Sequence, residues 1–500
     1  MQIISRISAL FIMLMLLCAP SLAESTTRAL LVACSDFETQ DDLGAATSGN
    51  LHMVGSALIS ASIALGNLSI EDGTIGTADA LGHAVTDAFC DADEDDLSIL
   101  YLCTHGVLSS SDDGQVYLLL GDGQTESPLS GAQLYALIKE IQGEKLLILD
   151  ACYSGALIGR GQPKTDPPSD SRPPQPGFFS PFLQDSSIHV LTSASGSESS
   201  WYYDSEGLSS GAVSYFASAL SSGLGLYGSA EADLSGDGAV TLSELHRYLS
   251  VAVPSSSCQL LSTRASGLNL PVAQGAMLSR PLMGFSYGTS LLPANDPVLD
   301  FSFTVTHDAT SVQYRVIDFI DGSWNWDNAK TFLDEGDEGD ALLSAGRKMR
   351  LLSLEDIAPD EGGYLMLQVF SVRENEVLLC SERLIAVQPA AGVSDLSIKC
   401  RSGLQKPGRQ ELPIAVKLSV PAELTVSVFD PSGALVNRLT ASQLTRPSPD
   451  NVTHLYWDGR DMQGKPVSSG QYTITAEARI GAKRHKATAE ITVGEANSAK

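Results

Sequence analysis

Short apolar runs alternate with amphipathic segments over the first half of the chain. Four runs have the composition of buried strands: RALLVAC at 28–34, LSILYLC at 97–103, KLLILD at 145–150 and IHVLTSAS at 188–195. Four segments have helical character: GSALISASIALG at 55–66, ADALGHAVTDAFC at 78–90, GAQLYALIKEIQG at 131–143 and GAVSYFASALSSGL at 211–224. This alternation predicts an α/β fold with a doubly wound, mainly parallel sheet, from about Arg28 to Leu278.

The second half of the chain changes to alternating strands separated by turns. Its strand-like segments are LDFSFTV at 299–305, SVQYRVIDF at 311–319, GYLMLQVFSV at 363–372, EVLLCSERLIAV at 376–387, LPIAVKLSV at 412–420, ELTVSVFD at 423–430, QYTITAEA at 471–478 and KATAEITV at 486–493. We predict two all-β, Ig-like sandwich domains, at 279–390 and 391–495, after a first domain at 24–278.

Residues 1–23 have the pattern of a signal peptide. Arg6 precedes an apolar stretch that ends near Leu17, and a small-x-small site follows at 21–23. The stretch is shorter than the ~20 residues that span a bilayer, which disfavours a membrane anchor. A lipid anchor on Cys18 is disfavoured because Leu17 precedes it. We therefore expect a secreted or periplasmic chain that starts near Glu24, without a transmembrane anchor.

Charge narrows the range of partners. The chain has 59 acidic and 31 basic residues, a formal net charge of -28. Nucleic acids and anionic membranes require clustered Lys and Arg, so neither is expected as a partner. Basic substrates remain open, as does the simpler interpretation that the acidic residues keep the protein soluble.

Removal of Cys18 with the signal peptide leaves an odd number of cysteines, at positions 34, 90, 103, 152, 258, 380 and 400. An oxidising compartment favours disulfide pairs, so an odd count implies one free thiol or a bond between chains.

Two predicted strands end in reactive residues. His105 follows LSILYLC and Cys152 follows KLLILD. If these strands are neighbours, their backbones lie about 5 Å apart and the imidazole can meet the thiol. Such a pair activates a cysteine nucleophile and protonates a leaving amine. Glycine at position 106 lets the backbone approach a substrate closely. The backbone N–H groups of Gly106 and Cys152 are therefore candidate oxyanion donors. The simpler alternative is a buried or disulfide-bonded Cys152 and a core His105.

Asp150 lies two residues before the cysteine. Side chains alternate along a strand, so Asp150 and Cys152 share a side if the extended geometry persists. A carboxylate there suits an Arg or Lys side chain of a substrate. The alternative is that Asp150 caps the following turn.

The motifs CTHG at 103–106 and DACYSG at 150–155 resemble the caspase-like clan of cysteine peptidases, which includes metacaspases, clostripain, legumain and gingipains. The resemblance covers about 250 residues and implies a caspase-like fold with a dyad at His105 and Cys152. The metacaspase and clostripain branches have an Asp two before the cysteine that receives Arg or Lys at P1. Asp150 occupies that position, where caspases have Gln.

The same resemblance implies self-cleavage in the loop after the nucleophile strand. Here that loop is the segment at 160–181, whose seven prolines predict an exposed loop without regular structure. Its candidate cleavage sites are Arg160, Lys164 and Arg172.

The segment DLSGDGAVTLSE at 233–244 has the spacing of an EF-hand loop. Its six oxygen ligands for Ca²⁺ would come from Asp233, Ser235, Asp237, the Ala239 carbonyl, Thr241 and Glu244, with Gly238 at the sharp turn. LSELHRYLSV supplies an exiting helix, whereas the Gly-rich segment before the loop makes an entering helix doubtful. We expect structural calcium. A metal-free loop is the alternative, because caps and turns also use Asp and Gly.

The last hundred residues resemble the Ig-like domain of flagellar hook-capping proteins. The resemblance rests on the turn Trp457-Asp458-Gly459 and the strand start at Gly470 and Tyr472. It implies a bacterial extracellular protein in which this module acts as a spacer or surface adaptor, with cell-surface association through the β domains.

Together these features predict a secreted or cell-surface cysteine endopeptidase that acts on proteins or peptides, cleaves after Arg or Lys and processes itself. The alternative from another class is a non-catalytic surface or adhesion protein with an inactive caspase-like domain. A transpeptidase that uses the same thioester differs only in the acceptor.

Overall fold

The computed structural model describes residues 25–108, 115–160, 181–203, 212–276, 278–308, 310–334, 342–373, 376–389, 395–480 and 482–494. Its five helices within these residues are α1 (Ala45–Ser60), α2 (Ala78–Phe89), α3 (Gly131–Ile138), α4 (Tyr215–Gly223) and α5 (Leu242–Ala252). The strands of the first half are β1 (Thr27–Ala33), β2 (Leu68–Asp72), β3 (Leu97–Cys103), β4 (His105–Leu108), β5 (Val116–Gly121), β6 (Glu126–Leu129), β7 (Glu144–Asp150), β8 (Ile188–Thr192), β9 (Tyr202–Tyr203), β10 (Val213–Ser214), β11 (Val240–Thr241), β12 (Gln259–Leu261) and β13 (Asn269–Leu270).

The first half of the chain, hereafter the α/β unit, is built on a six-stranded sheet of order β2-β1-β3-β7-β8-β12. The first five of these strands are parallel, and β12 runs antiparallel to β8. Alternate side chains of each strand enter different cores. Tyr101 and Ile148 pack with α1, α4 and α5, whereas Leu100 and Leu147 pack with α2 and α3. The sheet is therefore mixed but mainly parallel, with helices on both faces, as the alternating pattern predicted.

Two helices begin at other residues than predicted, and α3 ends at Ile138 rather than Gly143. α1 begins at Ala45 rather than Gly55, because Thr47 and Asn50 are buried polar residues that interrupt the apolar stripe from which the helix was predicted. α4 begins at Tyr215, since Ser214 belongs to β10 and its hydroxyl accepts the Ala217 N–H at 2.8 Å as the helix N-cap.

The next segment, hereafter the middle β unit, contains only strands and one short 3₁₀ turn among its described residues. Its strands are β14 (Leu282–Tyr287), β15 (Leu291–Pro293), β16 (Val298–Val305), β17 (Ser311–Ile320), β18 (Ser323–Trp324), β19 (Lys330–Leu333), β20 (Gly346–Ser353), β21 (Gly363–Arg373) and β22 (Glu376–Gln388). They form a sheet β14-β16-β20 and a sheet β15-β22-β21-β17-β18, with β19 also on β17. Phe301, Phe303 and Leu367 lie in the apolar core that both sheets share.

The last segment, hereafter the C-terminal β unit, is also a pair of sheets. Its strands are β23 (Ser397–Cys400), β24 (Gly403–Leu404), β25 (Leu412–Lys417), β26 (Glu423–Phe429), β27 (Leu435–Leu444), β28 (Val452–Trp457), β29 (Gly470–Ile480) and β30 (Lys483–Val493). The sheets are β23-β25-β28 and β24-β30-β29-β26-β27. Trp457 is buried between them, and its indole N–H donates to the Arg460 carbonyl at 2.9 Å across the turn at Gly459, whose φ is 78°. That bond closes the predicted Trp-Asp-Gly turn.

None of the helices in the described part of the chain is long and apolar enough to cross a membrane. The predicted signal peptide lies outside the described residues and stays a prediction.

Candidate active site

The two strands that end in reactive residues are direct neighbours. β3 and β7 pair in parallel, with Cys103 opposite Asp150 in register. The Thr104 N–H continues the pairing, since it donates to the Asp150 carbonyl at 3.2 Å. His105 and Cys152 each follow this pair by two positions, so both lie at the carboxyl edge of the sheet. Functional residues of open α/β sheets gather at this edge.

Gly106 and Cys152 touch through their backbones. A Cβ atom added at residue 106 would lie 1.7 Å from the Cys152 carbonyl oxygen and 3.3 Å from the Cys152 nitrogen. No side chain fits there, so the contact explains why glycine follows the histidine. It brings the two candidate oxyanion donors onto adjacent stretches of main chain.

The His105 ring is held by a contact that the sequence did not indicate. Its Nε2 lies 2.8 Å from the backbone carbonyl of Asp41, in the segment after β1. A carbonyl only accepts hydrogen bonds, so Nε2 carries a proton, and the tautomer that can act as a base is the one with Nδ1 unprotonated. Phe37 packs against the ring, with the centroids 4.8 Å apart. Both partners come from the same loop, which fixes the ring on one side.

Cys152 has a free thiol that is only partly exposed. Burial raises its pKa, although hydrogen bonding from the region of Ser200 opposes the shift. Its Sγ lies 3.7 Å from the Ser200 carbonyl, which is a thiol-to-oxygen contact. The resting sulfur is therefore a neutral thiol. Tyr153, the next residue, has φ 57° and donates its N–H to the Glu198 carbonyl at 2.9 Å, which turns the chain sharply after the nucleophile.

All seven cysteines of the described residues are free thiols. Disulfide pairing of Cys152, one of the alternatives, is absent from this structure. Cys34 and Cys103 lie within the core, with exposures of 0% and 5%. The Asn50 side-chain amide donates a hydrogen bond to Cys103 Sγ at 3.2 Å, which places Asn50 beside the site.

Asp150 is buried and surrounded by polar donors from four other elements or loops. Its carboxylate accepts hydrogen bonds from the side chains of Ser214 at 2.6 Å, Tyr101 at 2.9 Å, Ser200 at 3.1 Å and Asn50 at 3.4 Å. None of the described hydrogen bonds joins this carboxylate to an amide of the turn at 151–155. The alternative in which Asp150 caps that turn is therefore not what the structure shows.

The electrostatics of Asp150 reflect this enclosure. Burial raises the pKa of its carboxyl, and the hydrogen bonds from Ser214, Tyr101 and Ser200 oppose the rise. No ion pair of the described residues includes Asp150, so its charge lacks a cationic partner there. Sequence reasoning missed all four donors. Tyr101 alone had a local signal, because it lies two residues before Cys103 on the same side of β3.

The predicted calcium loop is closed by its own hydrogen bonds. The Asp233 carboxylate accepts the backbone N–H groups of Gly236 at 2.8 Å, Asp237 at 3.2 Å and Gly238 at 2.9 Å. Glu244 accepts the N–H of Ser235 at 3.0 Å and that of Thr241 at 3.0 Å. Thr241 and Glu244 thus form a capping box for α5.

The geometry of this loop has one feature of the calcium motif. Gly238, at the sharp turn, has φ 85°, as the motif requires. The described residues nevertheless contain no cluster of three or more His, Cys, Asp or Glu side chains suited to a metal. The roles of Asp233, Ser235, Asp237, Ala239, Thr241 and Glu244 as ligands stay predictions.

Arg160 corrects one expectation about the Pro-rich loop. We expected Arg160 to be an exposed cleavage site, but its side chain is 8% exposed and forms an ion pair with Glu411 of the C-terminal β unit. Its guanidinium also lies 4.0 Å from the centre of the Tyr456 ring. A residue enclosed in this way is inaccessible to a peptidase. Lys164 and Arg172 lie outside the described residues.

Comparisons with known proteins identify two parts of the chain. Residues 7–165 match the family model of the CHAT domain, of the caspase-like clan, and residues 403–482 match that of the FlgD Ig-like domain. Each model spans less than half of the chain. Among solved structures, caspase-1 from Spodoptera frugiperda aligns over 51% of this chain and 93% of its own, at 13% identity and a TM-score of 0.32. No curated protein matches the chain.

The CHAT match covers the strands that carry the candidate site. The CHAT match includes β1 to β7 and therefore His105, Asp150 and Cys152. The FlgD match includes β24 to β29. The metacaspase, clostripain or gingipain branch of the clan stays a prediction.

Proposed function

We propose that this protein is a caspase-like cysteine endopeptidase whose dyad is His105 and Cys152. The observation that carries the proposal is the pairing of β3 with β7, Cys103 opposite Asp150, together with the backbone contact between Gly106 and Cys152. A nucleophile, a base and two backbone amides at one edge of a sheet are the components of acyl transfer. The CHAT match over the same elements supports this class of reaction.

The chemistry follows from the protonation states. The Cys152 thiol is neutral at rest, so His105 Nδ1 takes its proton as the sulfur attacks the scissile carbonyl. The N–H groups of Gly106 and Cys152 stabilise the oxyanion. His105 then gives the proton to the leaving amine, and a thioester forms on Cys152. Water, deprotonated by His105, releases the acid and restores the thiol. An amine acceptor in place of water would make the same enzyme a transpeptidase.

Asp150 is proposed to receive Arg or Lys at P1. A buried carboxylate without a cation is energetically costly, and a guanidinium or ammonium group supplies the missing charge. The four donors around Asp150 favour its ionised form before the substrate arrives. Trp201 and Tyr202, which directly follow the donor Ser200, are 56% and 54% exposed, so two exposed aromatic residues adjoin one of the donors to this carboxylate in sequence.

The test is an assay of the mature chain on matched peptides that end in Arg, Lys, Asn or Asp, with and without calcium. We expect cleavage after Arg and Lys, and none by Cys152→Ala. Cys90→Ala, which removes an exposed thiol, is the matched control and should retain full activity. Preference for Asp or Asn would reject the role of Asp150, and equal activity of Cys152→Ala would reject the dyad.

The second candidate is a non-catalytic surface or adhesion protein, which the neutral, half-buried thiol favours. An arginyl chloromethyl ketone distinguishes the two. A working dyad alkylates its nucleophile rapidly at neutral pH, because His105 accepts the proton within the complex. An inactive domain reacts with this reagent no faster than with iodoacetamide.

We also retain secretion to the cell exterior or surface, a bacterial origin and structural Ca²⁺ at 233–244 as parts of the proposal. The FlgD Ig-like match supports the extracellular setting by analogy alone. Self-processing is proposed at Lys164 and Arg172 only, since Arg160 is enclosed.

A further inference from the structure

Two arginines join the α/β unit to the C-terminal β unit on either side of the nucleophile. Arg160 ends the nucleophile loop, which we define as residues 151–160, and points into the C-terminal β unit. Arg446 belongs to the C-terminal β unit and points into the α/β unit. At the boundary between the units, Arg160 is buried and Arg446 is partly exposed. Through hydrogen bonds, Arg160 leads to Gly155 in the turn after Cys152, and Arg446 leads to the two neighbours of Cys152.

The first connection is a buried, two-point ion pair. Arg160 Nη1 and Nη2 bind the two carboxylate oxygens of Glu411, with the Nη2 bond at 2.9 Å. Both side chains are 8% exposed, and the guanidinium stacks on Tyr456 at 4.0 Å. Paired, planar contacts of this kind fix a guanidinium in one orientation.

The main chain of Arg160 extends this connection to the turn after Cys152. Its N–H donates to the Gly155 carbonyl at 2.7 Å, and its carbonyl accepts the Gly196 N–H at 2.6 Å. Gly155 in turn donates its N–H to Ala194 at 3.0 Å. A Cβ at Gly155 would lie 2.8 Å from both the Arg160 and the Ala194 carbonyl oxygens, so the backbone segments around these three residues are in direct contact. The position of Arg160 therefore defines the far end of the nucleophile loop.

The second connection is formed by Arg446, whose guanidinium lies at the C-terminal end of α5. Its guanidinium donates to four backbone carbonyls: those of Ser250, Val253, Pro254 and Ser256, the last at 2.7 Å. These carbonyls lie at the end of α5 and just beyond it, where a helix leaves acceptors without intrahelical donors. The arginine thus fixes the segment 253–256.

That segment leads to both neighbours of the nucleophile. Ser256 donates its hydroxyl to the Ser193 carbonyl at 2.8 Å, and Ser193 Oγ accepts the Ala151 N–H at 3.1 Å. The adjacent Ser257 N–H donates to the Glu198 carboxylate at 2.8 Å. The Glu198 carbonyl accepts the Tyr153 N–H at 2.9 Å.

We propose that the C-terminal β unit positions the nucleophile, with Glu411 and Arg446 as positioning residues. This proposal rests on the proposed function for its kinetic consequence, but its geometric claim concerns Cys152 whatever the reaction. Through Arg160 the unit holds Gly155, and through the segment 253–257 it holds both neighbours of Cys152. Together these contacts fix where the sulfur lies relative to His105. A unit that served only as a spacer, as we expected from the resemblance, would need neither connection.

The physical reason is that acyl transfer tolerates little misplacement. An error of about 1 Å in the position of a reacting group costs up to about a hundredfold in rate. The nucleophile loop contains Tyr153 in a left-handed conformation, which persists only where surrounding contacts hold it. Loss of an anchor should relax this turn and displace Cys152, without changing the binding of a substrate side chain to Asp150.

The test uses the full chain with Glu411→Gln and, separately, Arg446→Gln. Glu477→Gln is the control: Glu477 lies in the same unit, and its ion pair with Lys486 is exposed. Hydrogen–deuterium exchange of peptides from 151–160 and labelling of Cys152 by iodoacetamide report on the loop without requiring peptidase activity. We expect faster exchange and a changed labelling rate for both variants, kcat lower by about tenfold and KM within about twofold of wild type.

These measurements distinguish failure of the positioning proposal from failure of the peptidase proposal. If exchange at 151–160 and labelling of Cys152 match those of Glu477→Gln, the positioning proposal is overturned. If wild type cleaves no peptide but both variants loosen the loop, the peptidase proposal fails and the positioning of Cys152 stands. If Arg446→Gln does not fold, the same comparison is made with Glu411→Gln alone. A variant whose thermal midpoint falls while exchange at 151–160 is unchanged overturns the positioning proposal.

Discussion

The hydroxyl of Tyr101 donates a hydrogen bond of 2.9 Å to Oδ2 of Asp150, from one parallel strand to the next. Tyr101 lies opposite Ile148 in the pairing of β3 and β7, so the bond runs diagonally towards the end of the neighbouring strand. Asp150 therefore depends for its charge state on β3, the strand that His105 follows by two residues. The positions of the proposed base, His105, and of the proposed specificity residue, Asp150, therefore both depend on β3.

Tyr101→Phe tests that dependence. A hydrogen bond donated to a carboxylate stabilises the charged form, so its loss raises the pKa of Asp150 further. Arginyl substrates require the ionised carboxylate, and activity is lost as pH falls through this pKa. We expect the acid limb of kcat/KM to move to higher pH by roughly one unit. Tyr364→Phe, which removes a buried hydroxyl bonded to Thr445, should leave the profile unchanged.

Gly106→Ala should inactivate the site. The added methyl group cannot coexist with the Cys152 carbonyl, so residue 106 or the nucleophile must move. Loss of one oxyanion donor costs about a hundredfold or more in kcat. The control is Gly66→Ala, where nothing lies within 4 Å of the new Cβ. Retention of full activity by Gly106→Ala would contradict the proposed oxyanion site.

The neutral thiol predicts a particular labelling profile. Because burial raises the pKa of Cys152, iodoacetamide should react slowly near pH 6 and faster as pH rises through the thiol pKa. His105→Ala should keep this slow alkaline reaction but lose rapid labelling by an arginyl chloromethyl ketone. Mass spectrometry of the Cys152 peptide separates it from the exposed Cys90. Rapid iodoacetamide labelling at pH 6 would show that the thiol is already ionised.

Calcium addition tests the loop at 233–244. A ligand at a hundred times its Kd stabilises the folded state by about 2.7 kcal/mol, which a thermal unfolding curve detects. Glu244→Gln is the informative variant, because glutamine keeps the capping box of α5 while it removes the bidentate anion. We expect calcium to raise the unfolding midpoint of wild type and to have little effect on the variant. An equal midpoint with calcium or a chelator would support the metal-free loop.

Glu382 predicts a pH dependence of stability at the junction of the units. Burial raises its pKa from 4.5 to about 7, while Gln368 donates to it at 2.8 Å. Between these two values the unfolded chain has released the proton and the folded chain has kept it, so stability falls as pH rises. The free energy of unfolding falls by at most about 3 kcal/mol across this range of pH. Glu382→Gln should flatten the decline in unfolding midpoint between pH 5 and pH 8, whereas Glu477→Gln should not.

Local pattern was sufficient for the four central strands of the sheet and for the place of the reactive residues, but not for the edge strands β2 and β12. LSILYLC corresponds to β3 without an error at either end, and KLLILD to β7 within one residue. Buried parallel strands are continuous apolar runs, and their ends are visible as a change of residue type. His105 and Cys152 could therefore be assigned to strand ends. Helix α1 was predicted poorly, because its buried Thr47 and Asn50 hide the apolar stripe.

The sequence by itself determined where the central strands form and which residues stand at their ends, since the periodicity of apolar side chains is a local property. Only the tertiary structure decided what surrounds those residues. Asn50 and Ser214 reach Asp150 from α1 and β10, and Glu411 buries Arg160 from 251 positions along the chain. Burial, pKa and hydrogen-bond partners depend on which distant surfaces meet, and no local window of sequence contains that information.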